Sequence, residues 1–126
     1  MQEIEKGILL ETYKELSRKW AIPILKDMFL GCERFTDFLT VPCPNHEQLS
    51  NKVLAIVLKR LEKLGFISKK IESTTPVRIK YSLTPTSLSL NKLLYAKIIW
   101  QIELGLISRD DPYFRGNNIE EAFGIN

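Results

Sequence analysis

Between Leu49 and Thr84 the chain carries Lys52, Lys59, Arg60, Lys63, Lys69, Lys70, Arg78 and Lys80 against only Glu62 and Glu72, a local charge of +6. The chemistry open to such a run is electrostatic. Side-chain cations placed along a polyanion displace its condensed counterions, which is the basis of phosphate-backbone recognition. The formal charge of the whole chain is only +3, and from Pro85 onward four basic residues meet five acidic ones. The positive charge therefore belongs to one segment rather than to the surface at large.

Other reactive side chains are few. Cys43 and His46 are three residues apart and Cys32 lies upstream, but a structural zinc site needs four ligands and the sequence offers no fourth Cys or His. We therefore expect no metal. Cys32 reads as a small buried thiol and Cys43 as a loop thiol, with only His46 nearby to acidify it. Two cysteines are too few for a disulfide framework and fit a reducing compartment. There is one histidine, no glycine-rich phosphate loop and no nucleophile with an evident base, so neither catalysis nor a cofactor is expected. Trp20, Tyr95 and Trp100 sit among apolar helix positions, as core or interface residues do.

The basic segment has to be held by a scaffold. A length of 126 residues with 44% hydrophobic and 26% charged residues suits one globular domain. No apolar run approaches the roughly 20 residues of a membrane span, and the N-terminus lacks an apolar signal region, so a cytoplasmic protein with no membrane association is expected. Apolar spacing predicts an N-terminal helix within residues 1–16 and a second helix over 17–30 capped by Ser17. A short helix bearing Phe35 and Phe38 follows, and then a loop over 41–48.

Ser50 is placed to cap a helix over 51–64 with Val53, Leu54, Leu58, Leu61 and Leu64 buried, ended by Gly65. Two strand-like runs, 66–72 and 77–83, are joined by Ser-Thr-Thr-Pro. In the second run Val77, Ile79 and Tyr81 alternate with Arg78 and Lys80, which predicts one packed face and one wet, basic face. Thr84 and Pro85 start a long last helix over 85–108, and residues 109–126 read as a polar tail. The result is an α+β, mostly α, arrangement with residues 17–84 as a winged helix-turn-helix and helices flanking it on both sides.

With those residues placed, the chain resembles the HxlR-type branch of the MarR-like winged-helix transcription regulators. The matching landmarks are Lys19-Trp20, Ile24-Leu25, Leu30-Gly31 before Arg34-Phe35, Leu49-Ser50 and Lys52-Val53-Leu54. They continue through Leu58, Leu61-Glu62, Leu64-Gly65, Arg78, Tyr81, Leu83-Thr84-Pro85 and Leu88. The resemblance implies a homodimer on a pseudo-palindromic operator, one recognition helix per major groove and a wing near the backbone. It also leaves room for a small-molecule effector. Gly7 stands in the region where the family commonly carries a cysteine.

On that geometry Asn51, Lys52, Ala55, Ile56 and Lys59 face outward on the recognition helix. Asn51 suits adenine, Lys52 suits guanine or phosphate, and Ile56 suits a thymine methyl. Arg60 and Lys63, with Lys69, Lys70, Arg78 and Lys80 of the wing, complete the expected double-stranded DNA contact. Ile56 and Val57 admit a second reading, as extra core or as a sticky surface on a module that binds only protein. Ile98, Ile99, Trp100, Ile102 and Leu106 crowd the last helix with apolar surface, and with Ile8 and Leu9 they are the expected dimer interface.

Overall fold

The computed structural model describes residues 14–40 and 49–126. Lys14 to Leu16 are helical, and α1 (Ala21–Phe29) follows. The expected start at Ser17 is not observed: the helix begins after Trp20, which makes no side-chain cap. This start places Pro23 in the first turn, where its missing N–H would have had no intrahelical acceptor anyway. At the other end Gly31 adopts φ +109°. Its N–H bonds to the carbonyl of Met28 while that of Cys32 reaches Asp27, so two otherwise orphaned carbonyls are satisfied.

α2 (Phe35–Thr40) and α3 (Asn51–Lys63) are the two helices of the helix-turn-helix. Ser50 caps α3 as expected, its hydroxyl accepting from the N–H of Val53 at 3.1 Å. Gly65, at φ +81°, closes α3 with the same paired bonds, from Gly65 to Glu62 and from Phe66 to Leu61. β1 (Ile67–Thr74) and β2 (Val77–Leu83) form an antiparallel hairpin in which Ile67 pairs with Leu83 and Ile71 with Ile79. A bulge between Ile71 and Ser73 bends its outer half.

The single long helix expected from Thr84 is two helices, α4 (Pro85–Leu88) and α5 (Asn91–Glu103). The break has a local cause, because serine hydroxyls compete for backbone partners. Ser87 is fully buried and donates to the carbonyl of Phe66, Thr84 donates to that of Gly65 at 2.5 Å, and Ser89 turns back onto Thr86. These bonds lock α4 onto the end of α3, and α5 departs separately.

Residues 109–126 are not a polar tail. A 3-10 turn (Pro112–Phe114) and α6 (Ile119–Ala122) bring Tyr113, Phe114, Ile119 and Phe123 into the core beside Ile24, Leu25 and Phe38. Phe123 stacks on Phe29 with ring centroids 4.9 Å apart. Polar side chains then fasten the segment: Asn117 donates to the carbonyl of Leu30 (2.9 Å), Arg115 to that of Asp37 (3.1 Å), and Asn91 to that of Phe123 (2.8 Å). Four large apolar side chains interspersed in a polar stretch have no clear period, so only packing reveals them as core. No described helix is long and apolar enough to cross a membrane.

Candidate nucleic-acid interface

α3 is held from behind. Leu54, Leu58 and Leu61 are buried, and Val57 joins them at 6% exposure, while Asn51, Lys52, Ala55, Ile56 and Lys59 all lie exposed on the outer face. The paired reading of Ile56 and Val57 therefore resolves residue by residue. Val57 is core, and Ile56, 40% exposed, stands among the basic side chains. Ala55 and Ile56 between Lys52 and Lys59 give the face a dry centre with charged margins.

Arg60 and Lys63 lie at the far end of the same helix. Together with Lys14, Glu15, Arg18 and Leu64 they line an open cleft of about 300 Å³. Glu15 is buried and receives Arg18 at 3.1 Å. Lys14 and Arg18 thus extend the basic surface past α3. Sequence reasoning missed them because nothing in the spacing joins the first residues of the described chain to residue 60.

The wing carries Lys69, Lys70 and Arg78 exposed, whereas Lys80 is partly covered and its ammonium reaches Glu33 at 3.1 Å. Arg34 is the fastener of this region. Its guanidinium donates to the carbonyl of Ile79 at 3.0 Å and to the carboxylate of Glu72 at 2.7 Å. That bond holds the Glu72 carboxyl below its ordinary range. The N–H of Tyr81 adds a bond to the carbonyl of Glu33 at 2.8 Å. The loop before α2 thereby pins the middle of the hairpin and neutralises Glu72, its acidic residue. Arg34 stood in the sequence as part of a family landmark, but its bridge to a strand 45 residues away had no signature.

The expectation of one packed wing face holds only near the root. Ile67 is buried and Tyr81 and Leu83 are half-buried, but Val77 is 65% and Ile71 57% exposed. The hairpin outruns the body that could cover its tip.

On α5 the expected dimer residues separate. Ile98 is only 1% exposed and belongs to the chain's own core, a correction to its expected outward role. Ile99 and Ile102 are half-buried, and Trp100 and Leu106 are exposed. Leu93 and Leu104 are exposed on the same helix and at its end, seven and four residues from Trp100, so the outer stripe runs through them. Ile8 and Leu9, like Cys43 and His46, lie outside the described residues. Cys32 is buried, and burial pushes its thiol up to about 12, with Asp27 adding to the effect, so it stays protonated and unreactive.

A helix capped at its N-terminus and packed against a short first helix, with a two-stranded hairpin directly behind it, defines a winged helix-turn-helix protein. Sequence comparison places it more narrowly. The profile of the HxlR-like helix-turn-helix family matches residues 15–105. The chain belongs to that family of DNA-binding transcriptional regulators.

It is 35% identical over 88 residues to the uncharacterized HTH-type transcriptional regulator YvaP of Bacillus subtilis (strain 168), covering 70% of this chain and 78% of that one. It is 31% identical over 112 residues to the uncharacterized HTH-type transcriptional regulator YtfH of Escherichia coli (strain K12), covering 83% and 85% of the two chains. Among solved structures, a transcriptional regulator of the MarR family from Enterococcus faecalis V583 superposes with a TM-score of 0.60 at 21% identity, over 84% of this chain and 92% of that chain. The reduced form of the transcriptional regulator YodB from B. subtilis gives 0.55 at 22%, over 82% and 93%. These two likenesses concern the fold.

Proposed function

We propose that the chain acts as a homodimer which reads a pseudo-palindromic operator, with one α3 in each major groove and each wing against the flanking backbone or minor groove. The observation that carries this reading is the outer face of α3. Asn51, Lys52, Ala55, Ile56 and Lys59 are exposed together on a helix whose other side is locked into the core. Asn51 and Lys52 lie next to the Ser50 cap, in the first turn, which in such helices meets base edges.

Lys59, Lys69, Lys70 and Arg78 supply phosphate contacts, with Arg60, Lys63 and Lys80 at the margins. The second subunit docks along Leu93, Trp100, Leu104 and Leu106, together with Ile8 and Leu9. The protein works in the cytoplasm by binding alone, without catalysis, and a small effector would act by shifting that binding.

A salt titration against an operator selected from random duplexes tests the reading. Affinity should fall steeply with salt, and Lys70→Ala should reduce the slope of log K against log salt by about 0.9. Ile56→Ala should leave nonspecific affinity unchanged and cost up to about 1 kcal/mol at an operator with thymine opposite it. A wild-type affinity independent of salt would overturn the proposal.

A further inference from the structure

We infer that the cleft where Lys14, Glu15 and Arg18 meet the far end of α3 is a site for a small acidic amino acid, whose binding weakens the hold on DNA. The regulatory half of this inference rests on the DNA-binding reading above, and the binding half does not. Arg60, Lys63 and Leu64 complete the lining of the cleft, which holds about 300 Å³. That volume lies at the lower end of the range for small-molecule sites, about 300–1,000 Å³. Its four cations are exposed, whereas Glu15 is 5% exposed.

Glu15 separates this cleft from an ordinary cationic patch. Its Oε2 takes the Arg18 guanidinium at 3.1 Å. Its Oε1 is buried and has no hydrogen-bond donor among the described residues. A carboxylate oxygen withdrawn from water without a partner is costly, so the site is short of one donor. Four cations also face a single carboxylate, so it is short of negative charge as well. A ligand that meets both needs carries carboxylates for Lys14, Arg60 and Lys63 and an ammonium for Oε1. The DNA backbone supplies only half of this, because its phosphates bring acceptors and no donor. A simple cation supplies the other half and is repelled at the rim.

Arg60 and Lys63 belong to α3 and stand at the margin of the proposed DNA surface. A ligand that neutralises them withdraws cations from the phosphates. By linkage, ligand and operator then weaken each other by the same factor.

The test is calorimetric titration of the full chain, without DNA, with L-glutamate and L-aspartate at fixed ionic strength. Glutarate and succinate, the same dicarboxylates without the ammonium, are the controls. One of the amino acids should bind at least about tenfold more tightly than its control, as a charge-assisted bond to Oε1 requires. Glu15→Gln should erase that preference without weakening the controls, and Lys63→Ala should weaken amino acid and control alike. The wild-type comparison needs no variant, so a Glu15→Gln chain that failed to fold would not spare the inference. In operator titrations, saturating amino acid should lower the slope of log K against log salt by about 0.9 for each cation withdrawn.

Equal binding of amino acid and control overturns the inference and leaves a bare anion patch. Binding of neither amino acid overturns it too, with water serving Oε1. Amino-acid binding that leaves operator affinity unchanged overturns the regulatory half. A chain that prefers the amino acid yet selects no duplex overturns the DNA reading and supports the site.

Discussion

Arg34 and Glu72 stand 2.7 Å apart, and the same guanidinium holds the carbonyl of Ile79 at 3.0 Å, so one side chain ties the entrance of α2 to both strands of the wing. Because both partners are partly exposed, solvent screens the ion pair and it adds little to stability by itself. Its effect is positional. Arg34→Ala should leave the thermal midpoint within a few degrees, speed amide exchange at Ile79 and Tyr81, and weaken DNA binding several-fold as Glu72 regains its full repulsion of phosphate. The Glu72 carboxyl is depressed, so the pairing is present above its ordinary titration range and is lost as pH falls through the lowered value. Arg34→Lys should rescue the charge but not the two-pronged bond.

Asp27 is the opposite case. Burial raises its carboxyl from 3.8 to about 6, although the Tyr113 hydroxyl at 3.0 Å, Lys26 and Arg115 pull it back down. A folded-state value above the unfolded one means that the folded chain holds its proton longer. The group's contribution is therefore greatest below the unfolded value and is lost as pH rises through about 6. The full difference is about 3 kcal/mol. Asp27→Asn should raise the midpoint at pH 8 while changing it little at pH 4, as read by thermal melts across that range. An equal shift at both pH values would show that the carboxylate is not the cause.

Phe114 tests whether the C-terminal segment is core. The side chain is 1% exposed, and Phe114→Ala should cost about 3–5 kcal/mol in urea unfolding. Ending the chain at Ser108 should remove Tyr113, Phe114, Ile119 and Phe123 together and give a state that binds hydrophobic dyes. A truncated chain with the wild-type midpoint would contradict this packing.

Trp100 tests the proposed dimer face. It is 57% exposed, so Trp100→Glu should leave the helical circular dichroism intact. Sedimentation should shift from dimer to monomer at micromolar concentration, and operator affinity should fall with it. Ile98→Glu, by contrast, should unfold the subunit, because that side chain points into its own core.

Much of the architecture was legible in the chain. Ser50 before an apolar stripe, Gly65 after it and the alternation of apolar and charged residues in 77–83 are local signals, fixed by caps, helical period and pleat. They placed α3, its outward residues and the hairpin where the structure has them. The remainder was decided only when distant parts met. The body of the domain ends short of the wing tip, so Val77 is bare although its alternation matches that of Tyr81. Ser87 finds the carbonyl of Phe66 and divides a continuous helical pattern in two. Phe114 and Phe123 fill a gap beside α1 that no local period announces, Ile98 turns inward, and Arg34 reaches across 45 residues to Ile79. Caps and periods act within a few residues of chain, whereas burial and long-range pairing depend on which surfaces the fold brings together, and the sequence states only the first of these directly.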